Sequence, residues 1–282
     1  MTLSEAADTL YRKSYGAISI RKKAAIAKKH RPALTKFFRK QRDLVLDKLA
    51  DQKYLFSESY RALAEGPVDF TLQNWDRIWD TVDEATRQEL QDLIIKIEAE
   101  GLPSGADTIR KVINPAGQFW DLGNPRAVSW MMQHGGSIKY IKDIQDTTAN
   151  SLKNVMGTAL DEGWSYQTTA REIQKLYDGP ISRERAQVIA VHESAQAYEA
   201  GNRTFVDGLA DEGIEMEKLY QTSEDDKVSD LCRQNQANDE SGVGSKWIPL
   251  DQPHFSGVQS PPGHIRCRCY EVYRAVSVGR KS

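Results

Sequence analysis

Three cysteines, all in the last fifth of a 282-residue chain, set the tightest limit on how this chain can fold. Two of them lie in Ser260-Pro-Pro-Gly-His-Ile-Arg-Cys-Arg-Cys-Tyr270, beside two prolines and a histidine. The third closes Thr222-Ser-Glu-Asp-Asp-Lys-Val-Ser-Asp-Leu-Cys232. An odd number of thiols cannot build a disulfide framework, and such clustering in a reducing compartment points to metal binding or reactive thiols. Around these stretches run short β-prone segments, Lys218-Leu-Tyr-Gln-Thr222, Trp247-Ile-Pro-Leu250 and Tyr270-Glu-Val-Tyr273, separated by loops rich in Asp, Ser, Gly and Pro. A unit of about sixty residues with so few core side chains needs a staple.

The preceding residues are written in helical periods. Arg31-Pro32 reads as a helix start with proline in its first turn, followed by Leu34, Phe37, Phe38, Leu44, Val45 and Leu49 on one face. A second amphipathic helix follows Gly66-Pro67, with Leu72, Trp75, Trp79, Val82, Leu90, Leu93 and Ile97 on one side, its tryptophans read as core. Gly101-Leu-Pro-Ser-Gly105 and Asn114-Pro-Ala-Gly117 bracket a segment of helix breakers and predict a boundary near residue 115. Residues 125–162 read as helix interrupted at Gly135-Gly136, and Ser165 and Ser182 read as N-caps of the next two helices, the first ending at Tyr177-Asp-Gly179. On the last of these, Glu193 shares a face with Ala186, Ile189, Ala190, Ala197 and Ala200. A carboxylate in an apolar stripe is costly unless partnered, so Glu193 is expected to hold another segment. The fold class is therefore mainly α with a small loop-rich β module at the C-terminus (α+β) and an elongated helical N-terminal part. Three regions are expected: a basic helical one over residues 1–115, a helical one over 116–213, and a small β module with the Cys/His cluster over 214–282.

Composition adds limits. With 39% hydrophobic and 28% charged residues, and no apolar run near the ~20 residues of a membrane span, no membrane association is expected. The first residues lack the basic start and apolar core of a signal peptide, so synthesis in a cytosol is expected. The net charge of −2 conceals a basic head: residues 1–50 hold 13 Lys/Arg against 4 Asp/Glu, and the remainder carries a net −11. Such a head suits a polyanion or an acidic protein surface, although a solvated helix face would look the same. On this reading residues 1–50 are separable from a foldable remainder.

Cys232, His264, Cys267 and Cys269 supply three sulfurs and an imidazole, the donor types of a closed structural zinc site. Cys267-Arg-Cys269 is tighter than the usual pair spaced by two residues, but residues i and i+2 of a strand face the same way. Reduced buried thiols, or a disulfide formed after release from the cell, would use the same residues. Asp225-Asp226 is expected to fix a loop rather than to bind the ion. Enzyme motifs fail on inspection: His192-Glu193-Ser-Ala-Gln196 lacks the second histidine of a zinc peptidase, and the cysteine spacing is wrong for a zinc deaminase. No Walker loop, nucleophile elbow or dinucleotide fingerprint is present. No catalytic residue is therefore assigned.

The order Ile189-x-x-x-Glu193, Ala197-Tyr198, Gly201, Thr222-x-x-Asp225-x-x-Val228-Ser229-x-x-Cys232 and Pro261-Pro262-x-His264-x-x-Cys267-Arg-Cys269 resembles the phage head morphogenesis family, the Mu F-like minor head proteins, over roughly residues 125–275. Two positions depart from the family pattern. Val191-His192 stand where relatives carry Arg-Thr, and Asn235 stands where some carry a further cysteine, which removes one candidate metal ligand. The resemblance implies a non-enzymatic minor capsid protein of a tailed phage. Such a protein would enter the procapsid with the portal protein, inside the capsid, after assembly in the host cytoplasm, and would assist head assembly, DNA packaging or DNA delivery. Scaffold or major capsid protein, and phage DNA through the basic N-terminal region, are further expected partners. With 13 residues after Cys269, no appended catalytic domain is expected. The alternative, from the residues alone, is a DNA-binding or DNA-processing factor with a metal-stabilised C-terminal module.

Overall fold

The computed structural model describes residues 3–51, 67–113, 122–134 and 138–278. Helices dominate: α1 Leu3–Asp51, α2 Pro67–Ile113, α3 Pro125–His134, α4 Ile138–Asp161, α5 Tyr166–Leu176 and α6 Ala186–Asp211, with a π-helical segment Tyr177–Arg185 leading into α6. The C-terminal part holds β1 Ile214–Gln221, a short α7 Asp230–Ala237, β2 Ile248–Pro249 and β3 Tyr270–Val278. The fold is thus mainly α with a small β module. Its sheet is antiparallel in the order β2-β1-β3, with Lys218 opposite Ile248 on one side and Tyr273 on the other.

The chain divides into two compact units, each assembled from separated stretches. The first comprises Met1–Lys29, Lys96–Gln133 and Val188–Ser282, and the second comprises His30–Ile95 and His134–Gln187. The boundary expected near residue 115, with Asn114-Pro-Ala-Gly117, and the break at Gly135-Gly136 lie outside the described residues.

Three helix ends read from the sequence are corrected. Pro32 does not open a helix but sits inside α1. Pro32 and Lys28 are both exposed, so the carbonyl deprived of its amide partner faces solvent, which lowers the usual cost of about 3 kcal/mol. Gly101, Pro103 and Gly105 do not break α2 either. A Cβ at Gly105 would strike the carbonyl of Tyr198, and one at Gly201 the carbonyl of Leu102, so these glycines let α2 and α6 touch backbone to backbone. Close packing offsets a propensity loss of about 1 kcal/mol per glycine. Ser182, finally, caps nothing: the wider π-helical turns carry the chain through Gly179-Pro180, burying Tyr177 and Ile181. Ser165 does cap α5, accepting from Thr168 N at 3.2 Å.

In the second unit Leu34, Phe37, Phe38, Val45, Trp75, Trp79, Leu90, Leu152 and Ile173 are buried. Within this apolar mass Gln41 Nε2 donates to Gln145 Oε1 at 2.7 Å, Gln145 Nε2 to Thr86 Oγ1 at 3.1 Å, and Tyr177 Oη to Gln41 Oε1 at 3.2 Å. Four helical segments are joined by neutral groups.

The first unit centres on Leu102, Ala106, Ala197, Phe205, Val206, Leu219, Val272 and Tyr273. Residues of α1 belong to this core: Tyr15, Ile26 and Ala27 are buried, Tyr11 Oη donates to Tyr273 O at 2.9 Å, and Lys22 Nζ to Thr108 Oγ1 at 2.7 Å. The expected separability of residues 1–50 is therefore corrected, because half of this segment packs on the sheet. Charge counting missed this, because it registers the exposed lysines and arginines of α1 and not its buried face of Tyr15, Ser19, Ile26 and Ala27.

Candidate metal centre

Cys232 reaches the site on α7, a helix that the loop-rich composition around it concealed. Ser229 starts this helix, its Oγ accepting from Cys232 N at 3.2 Å, and Asn238 ends it in the left-handed conformation at φ 57°. From the other side, the loop after the cis Pro261-Pro262 bond, with Pro261 buried and Pro262 half-buried, delivers His264 and then Cys267. Cys267 and Cys269 precede β3 and are both buried, with half-buried Arg268 between them, so the alternation of a strand begins before its ladder does.

The ligand atoms of Cys232, His264 and Cys267 all lie within 4.8 Å of one another. Cys232 Sγ is 3.2 Å from His264 Nε2 and 3.8 Å from Cys267 Sγ. A tetrahedral zinc with Zn–S near 2.3 Å would set its sulfurs about 3.8 Å apart. A disulfide needs about 2.05 Å, and all three thiols are free. Cys269 packs in the same buried cluster with Tyr220, but stands outside the trio. His264 Nδ1 lies 2.8 Å from the carbonyl of Ile265, which can only accept, so Nδ1 carries the proton and the Nε2 lone pair is left for Cys232 and Ser229. Such a backbone partner is what orients metal-binding histidines.

The surroundings favour one deprotonated sulfur. Hydrogen bonds from Cys232 and then Cys269 hold the Cys267 thiol far below the usual thiol range, against the opposing effect of burial. The Cys232 and Cys269 thiols are correspondingly pushed up, Cys232 chiefly by its bond to Cys267 and Cys269 chiefly by its bond to Cys232. Tyr220 Oη stands 3.4 Å from Cys232 Sγ and 3.3 Å from Cys267 Sγ. A soft divalent cation replaces such shared protons, and two thiolates with an imidazole are its donor set. The cluster can hold a metal ion.

The remaining motif residues fall into place around it. Asp225 Oδ1 accepts from Lys227 N at 2.9 Å and from Arg268 at 2.6 Å, so it joins the two motifs through the residue between Cys267 and Cys269. The Lys227 amide first, and Arg268 after it, hold the Asp225 carboxyl below the usual range. Asn235 is buried and accepts from Ser256 N at 2.9 Å, fixing the loop that carries His254. Glu193 is buried on α6 beside Glu98 of α2, whose carboxyl is pushed up to about 8 by burial and then by the charge of Glu193.

Several residues at the site escaped the sequence reading. Tyr220, on β1, roofs the sulfurs, and His254 packs edge-on against it at 5.2 Å. His254 Nε2 donates to Glu271 Oε1 at 2.6 Å, and Tyr273 Oη donates to Glu271 Oε2 at 2.7 Å. Glu199 is a buried carboxylate that ties α6 to the sheet: it takes Glu271 N at 3.3 Å, Asn202 at 3.0 Å and Lys23 at 2.8 Å. One signal for Lys23 was available, since it falls in register with buried Tyr15, Ser19, Ile26 and Ala27.

The fold and the site together define a mainly helical protein closed by a small, thiol-lined β unit. Residues 150–272 match the family described as Phage Mu protein F like protein, a stretch of less than half the chain that includes α5, α6 and every residue of the Cys/His cluster. Over this stretch the chain is similar to the Mu F-like phage head morphogenesis proteins. No curated protein and no solved structure matches the chain.

Proposed function

We propose that this chain is a minor capsid protein that joins the portal protein inside the procapsid and assists head assembly and DNA packaging or delivery, with no catalytic role. The observation that carries the reading is the Mu F-like match over residues 150–272, which contains Cys232, His264, Cys267 and Cys269. The first three converge within 4.8 Å, and one structural zinc completes the proposal, with Cys269 closing the coordination. A cation enclosed by four protein donors has no open position for a substrate, which supports a structural rather than a chemical role. No described helix is long and apolar enough to cross a membrane. The family match supports virion association, and the place beside the portal is part of the proposal.

Co-expression with portal subunits tests it. A complex that survives high salt supports the portal reading. Binding to DNA alone, falling with salt at a slope of about −0.9 per phosphate contact, would replace it with a DNA-binding factor. That alternative draws on the exposed basic residues of α1, among them Lys13, Arg21, Lys28, Lys36 and Arg39.

A further inference from the structure

We propose that Lys23 is a positioning residue for the thiol cluster, holding the Cys267–Cys269 segment in place from a helix outside the family-matched residues. Its Nζ is buried and makes two charge-assisted hydrogen bonds, one to Glu199 Oε1 at 2.8 Å and one to the carbonyl of Cys269 at 2.7 Å. The second bond fixes the main chain at the end of the Cys-Arg-Cys run, where no sheet partner exists: the β1–β3 ladder begins only at Tyr270, opposite Gln221. The first bond supplies the countercharge that allows an ammonium in this dry place. Ser19 Oγ, 3.5 Å from the same Glu199 oxygen, and Asn202 on the other oxygen keep the carboxylate aimed.

The neighbouring contacts make Lys23 the inner end of a longer seam. Tyr270 Oη donates to the carbonyl of Arg12 at 3.3 Å, and a Cβ at Gly16 would collide with the Tyr270 ring, so only glycine admits this approach. Arg12 reaches Gln221 Oε1 at 3.3 Å, on the strand that pairs with Tyr270. Cys232 is held differently. It rides on α7, anchored by Ser229 and His264. Loss of the Lys23 bond should therefore free Cys267 and Cys269 while leaving Cys232 covered.

The proposal builds on the metal-site reading, but its test separates the two. The full chain is compared in two forms, wild type and Lys23→Met with Glu199→Gln, because the double variant leaves no lone buried charge. Thiol reaction with an alkylating reagent is followed at each cysteine by mass spectrometry after chelator treatment, and zinc retention is followed by competition before it. The expected result is a roughly tenfold faster reaction at Cys267 and Cys269 in the double variant than in wild type, with Cys232 unchanged. Zinc is expected to be lost to chelator at correspondingly lower concentration. Equal rates in the double variant and wild type would overturn the proposal, as would a parallel rise at all three cysteines, which is the mark of general loosening. A wild-type chain that retains no zinc would sink the metal reading alone, because the cysteine-resolved rates still decide the role of Lys23.

Discussion

The second compact unit and the C-terminal module of the first solve the same problem with opposite means. In the second unit, long helices bury wide apolar faces, among them Phe37, Phe38, Trp75 and Trp79, and the buried polar groups are neutral amides and hydroxyls that satisfy one another. In the module after residue 213, three strands and one short helix offer few such faces. It relies instead on concentrated points: three sulfurs around Tyr220, His254 against Glu271, and Lys218 on the Gln259 carbonyl at 2.7 Å. Stability spread over area degrades gradually, at about 25 cal/mol per Å² lost. Stability concentrated in ligands and buried charges fails at single residues.

The largest expected effect follows from that contrast. Removing metal with a chelator, or Cys232→Ser, should abolish slow hydrogen exchange over residues 214–278 and leave residues 30–51, 67–95 and 138–161 of the second unit protected. Binding energy at a structural zinc site is folding energy for the segment it closes, on the order of 10 kcal/mol in small zinc modules. Exchange that slows equally in both regions with and without chelator would erase the distinction between them. A metal-free protein with an ordered module would assign the staple to the sulfur and tyrosine hydrogen bonds alone.

Glu98 provides the next effect, and it concerns the helices of the first unit. Its carboxyl is pushed up from the ordinary 4.5 to about 8 by burial and by Glu193. The folded state therefore favours the protonated form, whose stabilising contribution is complete below pH 4.5 and is lost as pH rises through about 8. Residues 96–113 and 188–211 should exchange more slowly at pH 5 than at pH 8, after correction for intrinsic rates. Glu98→Gln, a neutral isostere, should flatten this dependence. A profile unchanged by that substitution would place the titration on another group.

How much of this was legible in the sequence varies with the same contrast. Elements that bury a stripe announced themselves: Leu34, Phe37 and Phe38, or Trp75, Trp79 and Val82, recur at helical spacing because one face must be apolar. The Cys/His cluster was legible as a set of donors, since few other uses bring three thiols and an imidazole into one small module. Helix ends at Pro32, Gly101 and Gly105 were misread, because a breaker states a local cost while α2 and α6 gain from the close approach that only glycine permits. Glu199 and Tyr220 were invisible, and Lys23 was marked only by its register on α1, for a third reason. Their partners lie 176, 246 and 47 positions away along the chain, and nothing local encodes such pairs.

A smaller effect sharpens the comparison from the side of the second unit. Gln41→Ala removes partners from Gln145 and Tyr177 and leaves buried polar atoms unsatisfied, at a cost of about 1–3 kcal/mol. Replacing Gln41 and Gln145 together by leucine should cost much less than the sum of the single changes, since the network is neutral and sits in an apolar core. Denaturant midpoints of the single and double variants give the coupling. Simple additivity would show that these amides do not work as a network.

The smallest effect is expected at Ser229, where both kinds of stabilisation meet. Its Oγ accepts from Cys232 N at 3.2 Å, an N-cap for α7, and lies 3.0 Å from His264 Nε2. As a cap alone, Ser229→Ala should cost about 1 kcal/mol wherever the protein is measured, with or without metal. As a group beside a metal ligand, it acts differently. When Nε2 binds an ion, the lone pair facing Ser229 is consumed, and the hydroxyl keeps only its role as cap. Ser229→Ala should therefore destabilise the metal-free protein more than the zinc-loaded protein, the difference being the worth of the hydrogen bond to Nε2. Thermal unfolding of both forms, read by exchange at α7, measures it. An identical loss in the two forms would mean that His264 keeps its bond to Ser229 throughout, and that the ion takes its ligands elsewhere.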